Sequence, residues 1–152
     1  MSFNDIAFII ESNAKRYIEE RSKNIKFTIL IKDNISINEY YIIFTILNNL
    51  ITNAIDAIED KGTIKIIEEV NLDNVILSIM NDGEAIDNEL IPFIFNPGFT
   101  TKFDDKTGKP STGIGLSHVR NLIDELNGAI KINSTTTETE FILNIPIETL
   151  RR

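Results

Sequence analysis

The chain has 152 residues, 42% hydrophobic and 25% charged, which is the composition of one soluble globular domain large enough to bury a core. A formal net charge of -8 argues against nucleic acid, whose phosphates the field would repel, but leaves nucleotides open because a metal and backbone dipoles can offset it locally. The absence of cysteine excludes disulfides, thiolate metal sites and thiol nucleophiles, and the single histidine, His118, excludes a multi-histidine metal site.

Residues 3 to about 22 repeat Ile6, Ile9, Ile10, Asn13, Ala14 and Tyr17 at helical spacing, with Glu and Arg on the outer face. Asn24 to Lys32 alternates apolar and polar side chains, which predicts a half-buried strand, and Asp33-Asn34 makes a turn. Ser36 followed by Glu39 forms a capping box, so a long helix is expected from near Ile37 to about Asp60, with Gly62 as its stop. Within it Ile43, Ile46, Leu47, Leu50, Ile51, Ala54 and Ile58 make an apolar stripe. Asn49, Asn53, Asp56 and Asp60 make a separate polar stripe. Asparagine is a poor helix former with no packing role there, so its presence points to a ligand.

Thr63 to Val70 and Asn74 to Asn81 predict an antiparallel hairpin turning at Asn71 to Asp73. The alternation stops at Asn81-Asp82-Gly83, and Asn88 to Phe95 has room for one short helix. Asn96 to Ser111 has no periodicity and carries Pro97, Gly98, Gly108 and Pro110, the features of a long loop that is either functional or disordered. Gly113 and Gly115 then open a helix running to about Asn127, where Gly128 stops it. Glycines at a helix start let backbone N–H groups approach an anion, most often a phosphate. Strands over Ala129 to Ser134 and Thr139 to Ile147 close the chain. The pattern predicts an α+β fold: a two-layer α/β sandwich, a mixed but mostly antiparallel sheet covered by about three helices.

Four of these features resemble, in order, the boxes of one ATP-binding superfamily. NLITNAIDA (Asn49 to Ala57) resembles the asparagine box shared by histidine kinases, gyrase-type topoisomerases, Hsp90 and MutL. NDGEAI (Asn81 to Ile86) is similar to the first glycine box, IFNPGFTTK (Ile94 to Lys102) to the phenylalanine box, and TGIGL (Thr112 to Leu116) to the second glycine box. Thr139 through Pro146 resembles the closing strand. Asn49 stands where gyrase, MutL and the anti-sigma kinases resemble one another in a base glutamate. A histidine acceptor is a nucleophile near neutral pH and needs no such base, so the chain is identified as a sensor histidine kinase catalytic domain. It looks nearest to the citrate, dicarboxylate and glutamine sensor kinases.

The resemblance implies a Bergerat-type fold that binds ATP and Mg²⁺, with Asn53 as the magnesium ligand and Asn49, Asn53 and Lys102 as catalytic groups. It implies nucleotide contacts at Asn49, Asn53, Asp56, Asn81, Gly83, Ile86, Phe95, Thr100, Thr101, Lys102, Thr112, Gly113, Ile114, Gly115, Leu116 and Thr139. Two positions depart from the family pattern: Asn81 replaces an aspartate that accepts a hydrogen bond from the adenine amino group, and Ala85 replaces a glycine. His118 lies on the helix of the second glycine box, where the family role is packing or an indirect contact rather than phosphoacceptance.

The implied partners are a phosphoacceptor and dimerisation domain of the same kinase and, through it, a response regulator, with no nucleic acid and no membrane contact. Residues 1–23 read as a helical lead-in left from the dimerisation region, and 24–152 as the ATP-binding domain. The chain is expected to be a monomeric, cytoplasmic fragment, whose full-length parent is open to membrane anchoring. The rival readings are a gyrase- or Hsp90-like ATP hydrolase and a degenerate nucleotide- or partner-binding module.

Overall fold

A computed structural model describes residues 1–97 and 115–152. Helix α1 spans Phe3–Glu20, and the Ser2 hydroxyl caps it by accepting from the Asp5 N–H at 3.2 Å. Phe3, Ile6, Ile10, Ala14 and Ile18 recur every three to four residues and are all buried. Residues 1–23 therefore share one core with the rest of the chain. The helix ends with Ser22 at φ 54, where Lys23 N–H returns to the Ile18 carbonyl and Ser22 N–H to that of Glu19.

Strand β1 (Asn24–Ile31) pairs in parallel with β2 (Lys61–Asn71). Helix α2 (Tyr40–Ala57) is the crossover between them. β2 turns into β3 (Asn74–Asn81), closing the hairpin at Asn71 opposite Asn74, with Leu72 at φ 56. Helix α3 (Gly115–Glu125) leads to β4 (Ala129–Ser134) and β5 (Thr139–Pro146), and a short α4 (Ile147–Leu150) follows. The sheet order is β1-β2-β3-β5-β4, and every pairing except β1–β2 is antiparallel. Alternate residues of the central strands, among them Ile64, Ile66, Leu77, Ile79, Phe141, Leu143 and Ile145, are buried under the helices. This is the predicted two-layer arrangement.

Three local expectations are corrected. α2 starts at Tyr40 rather than Ile37, and Glu39 at its N-cap makes no side-chain cap. The backbone before it is used elsewhere: Ile37 N–H goes to the Met1 carbonyl, and the N–H groups of Asn38 and Glu39 go to the Leu150 carbonyl. The Ser36 backbone bridges Ser2, which places it outside the helix, and the Glu39 side chain pairs with Arg152 at 3.0 Å, so the box does not form. α2 also stops at Ala57, because Ile58 turns extended (φ -90, ψ 120), which removes Asp60 from the polar stripe. The Asp60 carbonyl instead accepts the Asn24 N–H at 2.8 Å. Between Asn88 and Phe95 only a 3₁₀ turn forms, Ile91–Phe93, with Pro92 unable to donate to a longer ladder.

The stop of α3 is shared by two residues. Asn127 takes the left-handed position (φ 55), with Gly128 N–H on the Ile123 carbonyl and Asn127 N–H on that of Asp124. Gly128 is needed for space, since a Cβ there would lie 2.9 Å from the Asn144 carbonyl oxygen. Asn127→Gly should raise unfolding free energy by about 0.5 kcal/mol, and Asn127→Val should lower it by about 1 kcal/mol or more. Urea denaturation measures both.

Candidate functional site

α2 builds one wall. Its Ile43, Ile46, Leu47, Leu50, Ile51, Ala54 and Ile55 are buried, so Asn49, Asn53 and Asp56 are left half-buried along the flank. The Asn49 amide donates to the Thr45 carbonyl one turn back at 2.8 Å, which commits its nitrogen and leaves Oδ1 outward. That oxygen faces the start of α3: a Cβ on Gly115 would lie only 3.2 Å from it. Glycine at 115 thus lets the start of α3 come close to Asn49, bringing N–H groups and a positive dipole end beside its oxygen. Leu116, next to Gly115, is half-buried.

Asp56 behaves differently from the two asparagines. Its carboxylate accepts the Tyr17 hydroxyl at 3.0 and 3.2 Å and lies 3.5 Å from Arg21 Nε. The Arg21 guanidinium stacks 3.2 Å above the Tyr17 ring. Burial, then the Asp56 charge, pushes the Tyr17 phenol from 10.0 to about 12.

The end of β3 builds the opposite wall. Asn81 is 4% exposed and its Oδ1 accepts the Gly83 N–H at 2.9 Å, a tight side-chain turn. Asp82 points to the neighbouring strand, accepting the Thr63 N–H at 2.7 Å. Gly83 lies flat against the last turn of α2, where a Cβ would come within 2.6 Å of the Ala57 carbonyl oxygen. Glu84 N–H donates to the same oxygen at 2.8 Å. Asn81 is opposite Thr139 in the β3–β5 register, and Thr139 is buried too. The Thr139 hydroxyl is 3.2 Å from Ser134 Oγ, which accepts the Ile86 N–H at 3.2 Å.

Asn81, Gly83, Ile86 and Thr139 are therefore brought together, and Ser134 joins them unannounced by any motif. Its only sequence signal is positional: it faces Thr139 across the β4–β5 hairpin, which becomes visible once the register is known. Phe95 is half-buried and lies 5.6 Å from the Arg120 guanidinium, a link from the phenylalanine box to α3. Thr100, Thr101, Lys102, Thr112, Gly113 and Ile114 lie outside the described residues. His118 is exposed on α3. Among the described residues no cluster of three or more His, Asp or Glu could hold a metal, and no helix is long and apolar enough to cross a membrane.

With that geometry in place, residues 39–149 match the family of histidine kinase-, DNA gyrase B- and HSP90-like ATPases. The chain belongs to this ATPase family. It is 30% identical over 151 residues to sensor histidine kinase GlnK of Bacillus subtilis, covering 99% of the chain and 37% of GlnK. Sensor histidine kinase ZraS of Salmonella typhimurium is 41% identical over 90 residues, 59% of the chain and 18% of ZraS. The chain thus spans well under half the length of these curated relatives. The solved catalytic domain of histidine kinase ThkA superposes with a TM-score of 0.81 at 29% identity, covering 98% of this chain and 96% of that one. Within the ATPase family the chain is an ATP-binding domain of the sensor-histidine-kinase type.

The Tyr17 shift has a stability consequence with a definite sign. A phenol whose folded value is raised contributes stability that is complete below about pH 10 and is lost as pH climbs toward about 12. Absorbance titration should show one tyrosinate transition near pH 12 that disappears in Tyr17→Phe.

Proposed function

We propose that this domain holds Mg–ATP between α2, the Asn81–Gly83 turn and the start of α3, and presents the γ-phosphate to a histidine on a separate phosphoacceptor domain. The observation that carries the reading is Asn49 Oδ1 held against the start of α3, where glycine at 115 permits the close approach. Asn49 and Asn53 supply carboxamide oxygens, hard neutral donors suited to Mg²⁺. Asn53 is the magnesium ligand in this reading. When bound, the metal would neutralise phosphate charge during transfer.

The chain's own residues bind, orient and exclude water. The N–H groups opening α3, with Thr112, Gly113 and Ile114 before them and Leu116 after, cradle the phosphates. In this reading Lys102 counters phosphate charge, and Phe95, Thr100 and Thr101 contribute further nucleotide contacts. Gly83, Ile86 and Thr139 form the base end with Asn81. None of the asparagines can take up a proton, so the acceptor must already be nucleophilic, as a neutral imidazole is near pH 7. The lone His118 sits exposed on α3, the helix whose start lies beside Asn49, and in this reading is not that acceptor. The partner in this reading is a phosphoacceptor and dimerisation domain, with a response regulator downstream, all in the cytoplasm.

Calorimetry with ATP, with and without Mg²⁺, tests the reading. Binding should depend on Mg²⁺ and weaken by about tenfold or more in Asn53→Ala. No binding at millimolar ATP would overturn it, and steady hydrolysis without an acceptor would favour an ATP hydrolase. Asn81 offers a second measurement. With Oδ1 committed to Gly83 N–H, its outward group is the donor Nδ2, whereas an aspartate would turn an acceptor outward. Asn81→Asp should tighten ATP severalfold, by a charge-assisted bond to the adenine amino group, while leaving inosine triphosphate unimproved.

A further inference from the structure

The last turn of α2 is gripped from two sides. On the site side, Gly83 lies flat on Ala57 and Glu84 N–H binds the Ala57 carbonyl at 2.8 Å. On the other side the C-terminal end of α1 holds it through side chains. Tyr17 donates to both oxygens of Asp56, Arg21 Nε lies 3.5 Å from the same carboxylate, and Lys23 Nζ donates to the Ile55 carbonyl at 3.0 Å. Arg21 is itself fixed by stacking 3.2 Å over the Tyr17 ring. Asp56 is one turn beyond Asn53 on the same polar stripe, so whatever orients Asp56 also orients the end of the stripe.

Asp56 is also the one acidic residue on a stripe whose other members are neutral. A carboxylate near a triphosphate opposes its binding unless the charge is countered nearby. Tyr17 and Arg21 are placed to do that, one with a hydroxyl proton shared between both oxygens, the other with a full positive charge. Asp56 and Arg21 keep about a third of their side-chain surface exposed, so the pair is open to solvent screening and the expected effect is moderate.

We infer that Tyr17 and Arg21 are positioning residues of the nucleotide site, acting through Asp56 to fix the last turn of α2 and keep its carboxylate from opposing the triphosphate. The inference rests on the reading of this site as one for Mg–ATP. It makes α1 a working part of the site although no residue of α1 reaches the ligand.

A double-mutant cycle tests it: Mg–ATP affinity by calorimetry for the wild type, Tyr17→Phe, Asp56→Asn and the double variant, with thermal unfolding recorded for each. Tyr17→Phe should weaken Mg–ATP by about fivefold in the wild-type background and by less than about twofold when Asp56 is already Asn. An equal loss in both backgrounds would mean that Tyr17 acts only through stability, and no loss in the first would mean that it does not act on the site. Either result overturns the inference. If Tyr17→Phe does not fold, Arg21→Gln replaces it in the same cycle with the same two deciding outcomes. A wild type that fails to bind Mg–ATP is a different result, because it overturns the nucleotide reading itself.

Discussion

Everything at the site depends on the burial of one stripe of α2 against the sheet. Ile43, Ile46, Leu47, Leu50, Ile51, Ala54 and Ile55 are each at most 3% exposed. Burying a large aliphatic side chain is worth about 1.5–3 kcal/mol. Turning α2 by one residue, about 100°, would expose several of these and drive Asn49 or Asn53 into an apolar layer without partners. The rotation of the helix is therefore determined by its greasy side, and the asparagines inherit their direction from it. Packing supplies the precision that a metal and a triphosphate require.

The same logic explains what could be read from the chain alone. Strand alternation and the apolar stripe are short-range patterns, and they located the five strands and three main helices to within a few residues. What stayed hidden was decided by partners distant in sequence. Ser36 and Glu39 form a plausible capping box until a backbone bridge to Ser2 draws Ser36 out of the helix and Arg152 pairs with Glu39. Asp56 belongs to the ligand stripe by spacing, but Tyr17, 39 residues earlier, takes hold of its carboxylate. Ser134 enters the base end only because the β4–β5 register sets it against Thr139. The glycines were legible as a group, yet Gly83 and Gly115 meet different partners: one allows close packing on the Ala57 backbone, the other lets the start of α3 approach the Asn49 side chain.

A chain of net charge -8 can bind an anion only if the local field is arranged against the global one. Here the described part of the site achieves this with few cations. The polar stripe offers amides at Asn49 and Asn53, α3 brings its start up to Asn49, and the acidic member of the stripe is paired with Arg21. Each device is short-ranged, so the surrounding acidic surface is tolerated within roughly one Debye length, about 8–10 Å at physiological salt.

Asn81 sharpens this division between what geometry supplies and what charge supplies. The Asx turn to Gly83 requires only an acceptor oxygen, and aspartate and asparagine provide one equally well. Replacing one by the other therefore leaves the turn, the flat packing of Gly83 on Ala57 and the register with Thr139 undisturbed. What changes is the second atom of the side-chain head, which becomes a donor where an acid would present a charged acceptor. A fold can thus keep every packing contact of its base end while altering which edge of a base it prefers, since the side chain that anchors the loop and the atom that reads the ligand belong to the same residue.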